Sequence, residues 1–453
     1  MAVNLEEMPL PDKLPVIPDG WRYESLGDLV EERGVSYGIV QPGTETTDGV
    51  PIVRVNNIRN GRIDTTDMLK VESAIEAKFQ RSRLRGGEVL LTLVGTLGEV
   101  AIVPENLRGW NVARAVGVIP VRQDPGNLWV SICLRSAFIQ HCIRTWATTT
   151  VQATFNLRDL AKLPIPIPPT ETREAIAQIL GALDDKIELN RRMNTTLEAM
   201  ARALFQSWFV DFDPVCAKLD GRKPAGLDPE TTALFPAHFQ DSTLGHIPQG
   251  WEVCSLADKI ELLSGGTPKT SEPDYWDGDI PWYSVKDAPS ETDVWVIRTE
   301  KRVTKLGIAN SAAQILPEGT TIISARGTVG KLALIGTPMA MNQSCYGVRG
   351  TKGYGDFFTY YALRAATAQL QQRTHGTVFD TITRQTFETL DCIFPPANLT
   401  IAFDSAATPL LAQIRANLHQ SRTLATLRDT LLPKLLSGDL SVASGLEETE
   451  AIA

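Results

Sequence analysis

Nowhere in the 453 residues is there an unbroken apolar run of the roughly eighteen residues that a membrane-crossing helix needs. The first thirty residues carry Glu6, Glu7, Asp12 and Asp19 in place of a basic end followed by an apolar stretch, so no secretory leader is expected and the protein is expected to be cytoplasmic. Cysteine is scarce. Cys133, Cys142, Cys216, Cys254, Cys345 and Cys392 are scattered with no CxxC pair, which argues against a zinc ribbon or a disulfide framework and leaves reduced core or surface thiols. Histidine is scarcer still. The five histidines form neither an HExxH nor any i, i+4 pair, so a metal hydrolase is not expected and no metal site is assigned. Basic residues are outnumbered, 44 against 53 acidic, for a net charge of −9. Sequence-independent DNA affinity comes from Lys and Arg on phosphates, so this is not a general polyanion binder, and any nucleic-acid contact must come from local patches.

Catalytic signatures are missing as well. No GxxxxGK[ST] phosphate loop occurs, and Gly327-Thr328-Val329-Gly330-Lys331-Leu332 has the wrong spacing for one and reads as a turn between strands. An amino-methyltransferase would need an Asn/Asp-Pro-Pro-aromatic loop. Ile167-Pro168-Pro169-Thr170 and Phe394-Pro395-Pro396-Ala397 lack both the acceptor side chain and the stacking aromatic. No catalytic residue is assigned.

What is present is a chain written twice. Ile17-Pro18-Asp19-Gly20-Trp21 with Ser25-Leu26 returns 230 residues later as Ile247-Pro248-Gln249-Gly250-Trp251 with Ser255-Leu256, and the same offset carries Pro51 onto Pro281 and Val55 onto Val285. The offset is 232 at Gly95-Thr96-Leu97-Gly98 and Gly327-Thr328-Val329-Gly330, 229 at Leu134-Arg135 and Leu363-Arg364, and 227 at Pro168-Pro169 and Pro395-Pro396. Matches that keep their order with so small a drift indicate duplication. Within the first copy, Ile52 to Val55, Val89 to Leu93, Glu99 to Val103 and Val116 to Val121 read as short strands between Gly and Pro turns. Trp129 to Arg144, like Phe358 to Arg373, reads as one amphipathic helix. Each copy is thus a mixed α/β domain, over 15–168 and 247–396. Trp21 and Trp251 read as core anchors, and the turn glycines as backbone devices permitting positive φ.

A long helix follows each copy. The first is expected over 170–212, capped by Thr170 or Thr172, and the second over 398–438, with a Gly/Pro-rich linker at 213–246 and an acidic tail at 439–453. Apolar residues fall on a heptad, with Ile176, Leu183, Leu197 and Leu204 at one core position and Leu180, Ile187, Ala201 and Trp208 at the other. The second helix repeats this with Phe403, Leu410, Leu424 and Leu431, then Ala407, Ile414 and Leu435; Arg428 is its one charged misfit. Polar residues interrupt both seams at matching places: Asn190 and Asn194 in the first, Asn417 and Ser421 in the second. Matched seams predict a coiled coil whose buried polar residues fix register, and it is antiparallel if the linker stays local. The other way to bury such a seam is for each helix to pack on its own domain. Ile176 to Trp208 spans about 50 Å, more than one such domain needs, so the helices read as spacers. If the linker stays local, the two domains are related by an approximate twofold axis, the geometry required to read a two-part DNA site with fixed spacing.

Candidate DNA-reading residues cluster at strand ends. Copy one has Arg54, Asn56, Asn57, Arg59, Asn60 and Arg62, and Arg and Asn are the side chains that pair bidentately with guanine and adenine edges. Copy two places Lys286 and Asp287 at the aligned strand end, preceded by Lys269, Thr270 and Ser271; Arg326 and Lys331 flank the Gly-Thr-Val-Gly turn, and Asn342-Gln343 follow. Taken singly, each could be a solvated surface residue or a turn former. As a set they point to DNA contact.

The chain resembles the DNA specificity subunit of type I restriction-modification systems over nearly its whole length. The residues carrying the resemblance are Ser207-Trp208-Phe209-Val210-Asp211-Phe212-Asp213-Pro214, the two Ile-Pro-x-Gly-Trp openings, Gly266-Thr267-Pro268 with Tyr275-Trp276 and Ile280-Pro281-Trp282, and Leu431-Leu432-Pro433-Lys434-Leu435-Leu436-Ser437-Gly438. The resemblance implies two target-recognition domains separated by antiparallel helices, each domain reading half of a split site in double-stranded DNA. It also implies two partner methyltransferase subunits that bind S-adenosylmethionine and methylate adenine, and, for restriction, an ATP- and Mg-dependent motor and nuclease subunit. This chain would then supply specificity and no chemistry. The first copy lacks the Gly-Thr-Pro loop of the second, so the halves should differ in sequence. The rival reading is a duplicated-domain scaffold or adaptor without DNA specificity, which predicts no salt-dependent, sequence-selective DNA binding.

Overall fold

The structure, a computed structural model, describes residues 14–59, 61–149, 153–372, 381–440 and 442. Asn60, Arg373 and nearly all of the acidic tail lie outside the described residues. The chain divides into two compact units, residues 1–185 with 424–453, and residues 186–423. The division passes through both long helices, so each unit holds one copy of the repeated domain and part of each helix. No helix among the described residues is long and apolar enough to cross a membrane.

In the first unit, Val89–Thr92 and Val116–Ile119 are buried at every position, the pattern of a strand covered on both faces. They pair antiparallel, Val116 opposite Thr92 and Ile119 opposite Val89, with Ser36–Tyr37 and Val100–Ile102 completing a four-stranded sheet. A second sheet centres on Val50–Val53, antiparallel to Leu69–Val71 and parallel to Asn111–Val112. Arg22–Ser25 pairs with Pro164–Ile167, so the first and last strands of the repeat close on each other.

The second unit repeats this frame. Glu252–Ser255 pairs with Asp391–Phe394 as the closing ribbon. Trp276–Tyr283 runs antiparallel to Lys301–Val303 and parallel to Ala340–Met341. The central sheet, five-stranded here, has Cys345–Gly350 between Ile260–Ser264 and Thr321–Ser324, followed by Leu332–Ile335 and Trp295–Val296. Ile52 and Val53 lie opposite Asn111 and Val112 as Trp282 and Tyr283 lie opposite Ala340 and Met341.

One expected helix is broken. Residues 127–146 form two helices, Asn127–Arg135 and Ala137–Trp146, because Ser136 is extended (φ −62°, ψ 147°) and caps the second by accepting Ile139 N. The counterpart Asp356–Gln372 is continuous. At the position equivalent to Ser136 it has Ala365, which has no side-chain oxygen to cap a new start and is the best helix former.

The long helices span Thr170–Phe209 and Ala397–Ser437. In the second unit they run antiparallel, since Asn190 meets Gln420 and Ser421 while Asn194 meets Asn417. In the first unit Asp184 meets Arg428 in the same sense. The buried face is wider than a two-residue seam. Phe205 and Phe209 join Trp208 in the core, and Phe205 touches both Phe403 of the distal helix and Tyr361 of the domain, with ring centroids 5.8 and 5.9 Å away. One helix therefore packs on its partner helix and on the domain together. The linker is also structured. It contains helices Asp213–Leu219 and Pro229–Ala233 and a hairpin at 239–248, held by Val215 and Phe235 in the same core.

Trp251 is buried against Phe209 and Phe212, and Trp21 packs edge-on to Trp129 at 6.3 Å. The six cysteines are free thiols. Among the described residues no group of three His, Cys, Asp or Glu side chains could hold a metal ion.

Candidate nucleic-acid interface

Parallel pairing puts the chain exits of two strands at one end of a sheet. In the first domain, Arg54 to Asn57 follow Val53, and Ala113 to Ala115 follow its parallel neighbour Val112. Three backbone bonds gather further segments at that end: Ala113 N to Val53 O at 2.9 Å, Arg114 N to Ile39 O at 2.9 Å and Leu93 N to Ala115 O at 2.8 Å. The Gly95-Thr96-Leu97-Gly98 turn follows directly, with φ of +79° at Gly95 and +87° at Gly98.

The second domain gathers the homologous segments by the same bonds. Asn342 N donates to Tyr283 O at 2.9 Å, Ala325 N to Ser344 O at 2.8 Å, and Gly266 N to Met341 O at 2.9 Å as Ile39 N does to Val112 O at 2.7 Å. Lys286, the 326–331 turn, Asn342-Gln343 and the 266–271 loop therefore share one edge. A loop also exists in the first domain at this place, over Gly38 to Gln41, with different side chains from the Gly-Thr-Pro loop. The signal shared by the two loops is a glycine. A Cβ on Gly38 would lie 1.9 Å from Val112 O, and one on Gly265 2.0 Å from Asn342 O, so only Gly lets the loop cross the strand end.

The candidates separate into two kinds. Asn57 is buried and unavailable to a duplex. Its Oδ1 accepts Arg54 N at 3.0 Å and its Nδ2 donates to Asp64 O and Asp67 O. Asp287 is its structural counterpart, accepting Ser284 N and Ser284 Oγ at 2.8 Å and Glu300 N at 2.6 Å. Both residues close a capping box on a short helical turn. Asn57 and Asp287 are thereby committed to holding the edge together. Arg54 donates to the backbone and carboxylate of Asp67, and Asn342 accepts Ser344 N at 3.1 Å, so both are partly committed to the fold.

The other candidates face solvent. Asn56, Arg59, Ser271, Lys286, Arg326, Lys331 and Gln343 are exposed, and Arg62 is half-buried. Arg59 and Arg62 lie directly opposite each other on a two-strand hairpin. Lys269 is paired with Glu272 at 2.9 Å on the surface, a pair weak enough for a phosphate to displace. Thr267 Oγ1 donates to Gln343 Oε1. Beneath this edge, burial pushes the Tyr283 phenol far up and the Cys345 thiol up to about 12, so both stay neutral.

Two positions were not read from the sequence, Arg114 and the Ile39 to Gln41 loop. Their alignment appears only when the offset is taken as 229 at Ala113 and 227 at Gly38, and the strand register supplies those values.

The four helix-seam residues form one network. Asn190 Nδ2 donates to Gln420 Oε1 at 2.9 Å and Ser421 Oγ at 3.2 Å, and Asn417 Nδ2 donates to Asn194 Oδ1 at 2.9 Å. The network continues into the second domain through Asn194 Nδ2 to Asp293 at 3.2 Å, and one turn further along the helix the buried Glu198 makes a separate tie by accepting Arg364 at 2.6 Å.

Comparison with known proteins agrees with this organisation. The chain is 28% identical over 330 residues to the type I restriction enzyme HindI specificity subunit of Haemophilus influenzae, covering 64% of this chain and 71% of that protein. It is 31% identical over 199 residues to the type I restriction enzyme EcoBI specificity subunit of Escherichia coli, covering 42% of each. The crystal structure of a type I restriction-modification S subunit from M. genitalium superposes with a TM-score of 0.50 at 15% identity, covering 94% of this chain and 99% of that one, a likeness of fold. The family described as the type I restriction modification DNA specificity domain matches at residues 18–199 and again at 248–399, and with both copies of its repeat inside those matches the chain belongs to that family.

Proposed function

We propose that this chain reads a split double-stranded DNA target for an adenine methyltransferase and restriction complex, each domain reading one half-site, and that it performs no chemistry itself. The observation carrying this reading is the pair of homologous edges. The same backbone hydrogen bonds gather the same segments in both domains, while the exposed side chains on them differ, as two unlike half-sites require. The polar seam between the helices gives a defined register, which suits a fixed spacer.

The partners in this reading are two methyltransferase subunits carrying S-adenosylmethionine and, for restriction, ATP- and Mg-dependent motor and nuclease subunits, all in the cytoplasm. With a net charge of −9, the complex draws part of its phosphate affinity from those partners. The adaptor reading has no support from the comparisons.

The test is methylation mapping of genomic DNA from a host expressing the chain with its methyltransferase, and with either one omitted. Adenine methylation at a split motif that needs both chains is expected. Absence of methylation with both present would overturn the reading.

A further inference from the structure

The repeat places one residue of each domain at the same point of the edge, and the two have unlike chemistry. Ala113 and Asn342 make the same bond to the neighbouring strand, and Ala115 and Ser344 accept the same bond from the strand across the sheet. Arg114 and Gln343, between them, are therefore equivalent. Each is exposed on a segment whose backbone is pinned on both sides, the preorganisation that a recognition side chain needs. The Arg114 guanidinium has no partner among the described residues, and it is flanked by two alanines that leave its approach open.

On this basis, and resting on the recognition function proposed above, we propose that Arg114 reads a guanine in the half-site of the first domain and Gln343 an adenine in that of the second. A guanidinium has donors only, which match guanine O6 and N7; a carboxamide offers one acceptor and one donor edge, which match adenine N6 and N7. Thr267 Oγ1 holds Gln343 by its Oε1. The oxygen keeps a second lone pair, so this contact orients the carboxamide without blocking its edge. The equivalent position in the first domain is Val40, exposed and without a donor. Arg114 needs no such brace, since its donors are presented as a rigid planar fork.

The test uses the full chain assembled with its methyltransferase. Wild type, Arg114→Ala, Arg114→Gln and Gln343→Ala are compared by methylation mapping and by methylation rates on duplexes changed at one base pair at a time. Arg114→Ala is expected to relax discrimination at one G·C pair of one half-site by roughly 5- to 150-fold, the range conferred by a bidentate base contact. Arg114→Gln should move preference at that pair towards A·T. Gln343→Ala should relax one A·T pair in the other half-site. A uniform fall in rate with an unchanged motif, and a salt slope reduced by about one, would make Arg114 a phosphate contact and overturn the inference. So would an unchanged motif at unchanged rate. Loss of any split motif in the wild-type complex would instead overturn the recognition function, so the two failures are distinguishable. Matching melting curves for Arg114→Ala and wild type separate lost reading from lost fold.

Discussion

Replacing Asn194 and Asn417 by Leu, singly and together, tests whether the polar seam acts as a matched pair. The two side chains are 2% and 3% exposed, and Asn417 Nδ2 donates to Asn194 Oδ1 at 2.9 Å. Asn417→Leu alone leaves that oxygen buried without a donor, and Asn194→Leu alone strands the Asn417 amide. Each orphaned buried group costs about 1–3 kcal/mol, partly offset by the roughly 1.5–3 kcal/mol that a fully buried Leu contributes. The double substitution has no orphan from this bond and two buried apolar side chains, so it should be close to wild type or more stable. The remaining losses are the bond from Asn194 Nδ2 to Asp293 and that from Gln413 Nε2 to Asn417 Oδ1 at 2.8 Å; Asp293 keeps its bond from Ser290 Oγ at 2.8 Å, and Gln413 is exposed to water. Urea unfolding followed by far-ultraviolet circular dichroism should show non-additivity of about 1–3 kcal/mol between the singles and the double, read from midpoints at constant slope. Effects that add to within about 0.5 kcal/mol would refute the pairing. A more stable double variant that no longer assembles with its methyltransferase would indicate that the asparagines set register.

Three further outcomes follow from particular contacts. Asp404 accepts Phe357 N at 3.1 Å and Phe358 N at 2.8 Å, yet burial pushes its carboxyl up to about 6. A raised carboxyl pKa favours the folded state below the unfolded value and loses that contribution as pH rises from about 4 through about 6, by at most about 3 kcal/mol; Asp404→Asn should flatten this part of the profile, and equal slopes in variant and wild type would refute it. Gly265→Ala forces a Cβ to 2.0 Å from the Asn342 carbonyl and is expected to lower the melting temperature and disturb recognition of the second half-site alone, at a cost of about 1–3 kcal/mol or more; an unchanged melting curve would show that the loop has another route across the strand. Asn57→Ala should destabilise by about 1–3 kcal/mol because it opens three buried bonds, whereas the exposed Asn56→Ala should melt like wild type and weaken only DNA recognition; the opposite ranking by calorimetry and a binding titration would reverse the assignment of the two residues.

The repeat, the strand positions and the helix seam were legible because each rests on a period or an offset that survives without coordinates. Val89 to Leu93 reads as a strand and occupies 89–92 as one; the heptad through Ile176, Leu180 and Leu183 names residues that are all buried. The break at Ser136 was not legible from hydrophobic period, which runs on across it. The capping residue was visible, but Ser is tolerated inside helices often enough that period outweighs it. The breadth of the apolar face was missed for a related reason: a two-position heptad omits Phe205 and Phe209, which meet Phe403 of the other helix and the domain's Tyr361 and Phe358 at once. Among the candidate readers, Arg and Asn at a strand end look alike in sequence whether they cap or read. Asn57 and Asp287 share a structural duty that one backbone bond reveals and composition cannot.

That separation of duties explains how two copies of one domain can diverge in what they read. The edge is assembled by backbone donors and acceptors, Ala113 or Asn342, Ala115 or Ser344, Ile39 or Gly266, and a backbone bond is indifferent to the side chain that it carries. Where a side chain is required, its chemistry is kept: a carboxamide at Asn57 and a carboxylate at Asp287 both present an oxygen to the same turn, and glycine is kept at both strand crossings because any Cβ meets a carbonyl. Between these fixed points the side chains take no part in assembling the edge, Gln343 and Thr267 bonding only to each other among the described side chains, so Arg114 against Gln343, or Val40 against Thr267, alters the presented pattern at little cost to folding, within about ±0.5 kcal/mol for ordinary surface changes. Exchanging residues at such positions between the two domains should therefore transfer base preference while leaving both domains folded, and exchanging Asn57 with Asp287 should change stability and no base of the motif.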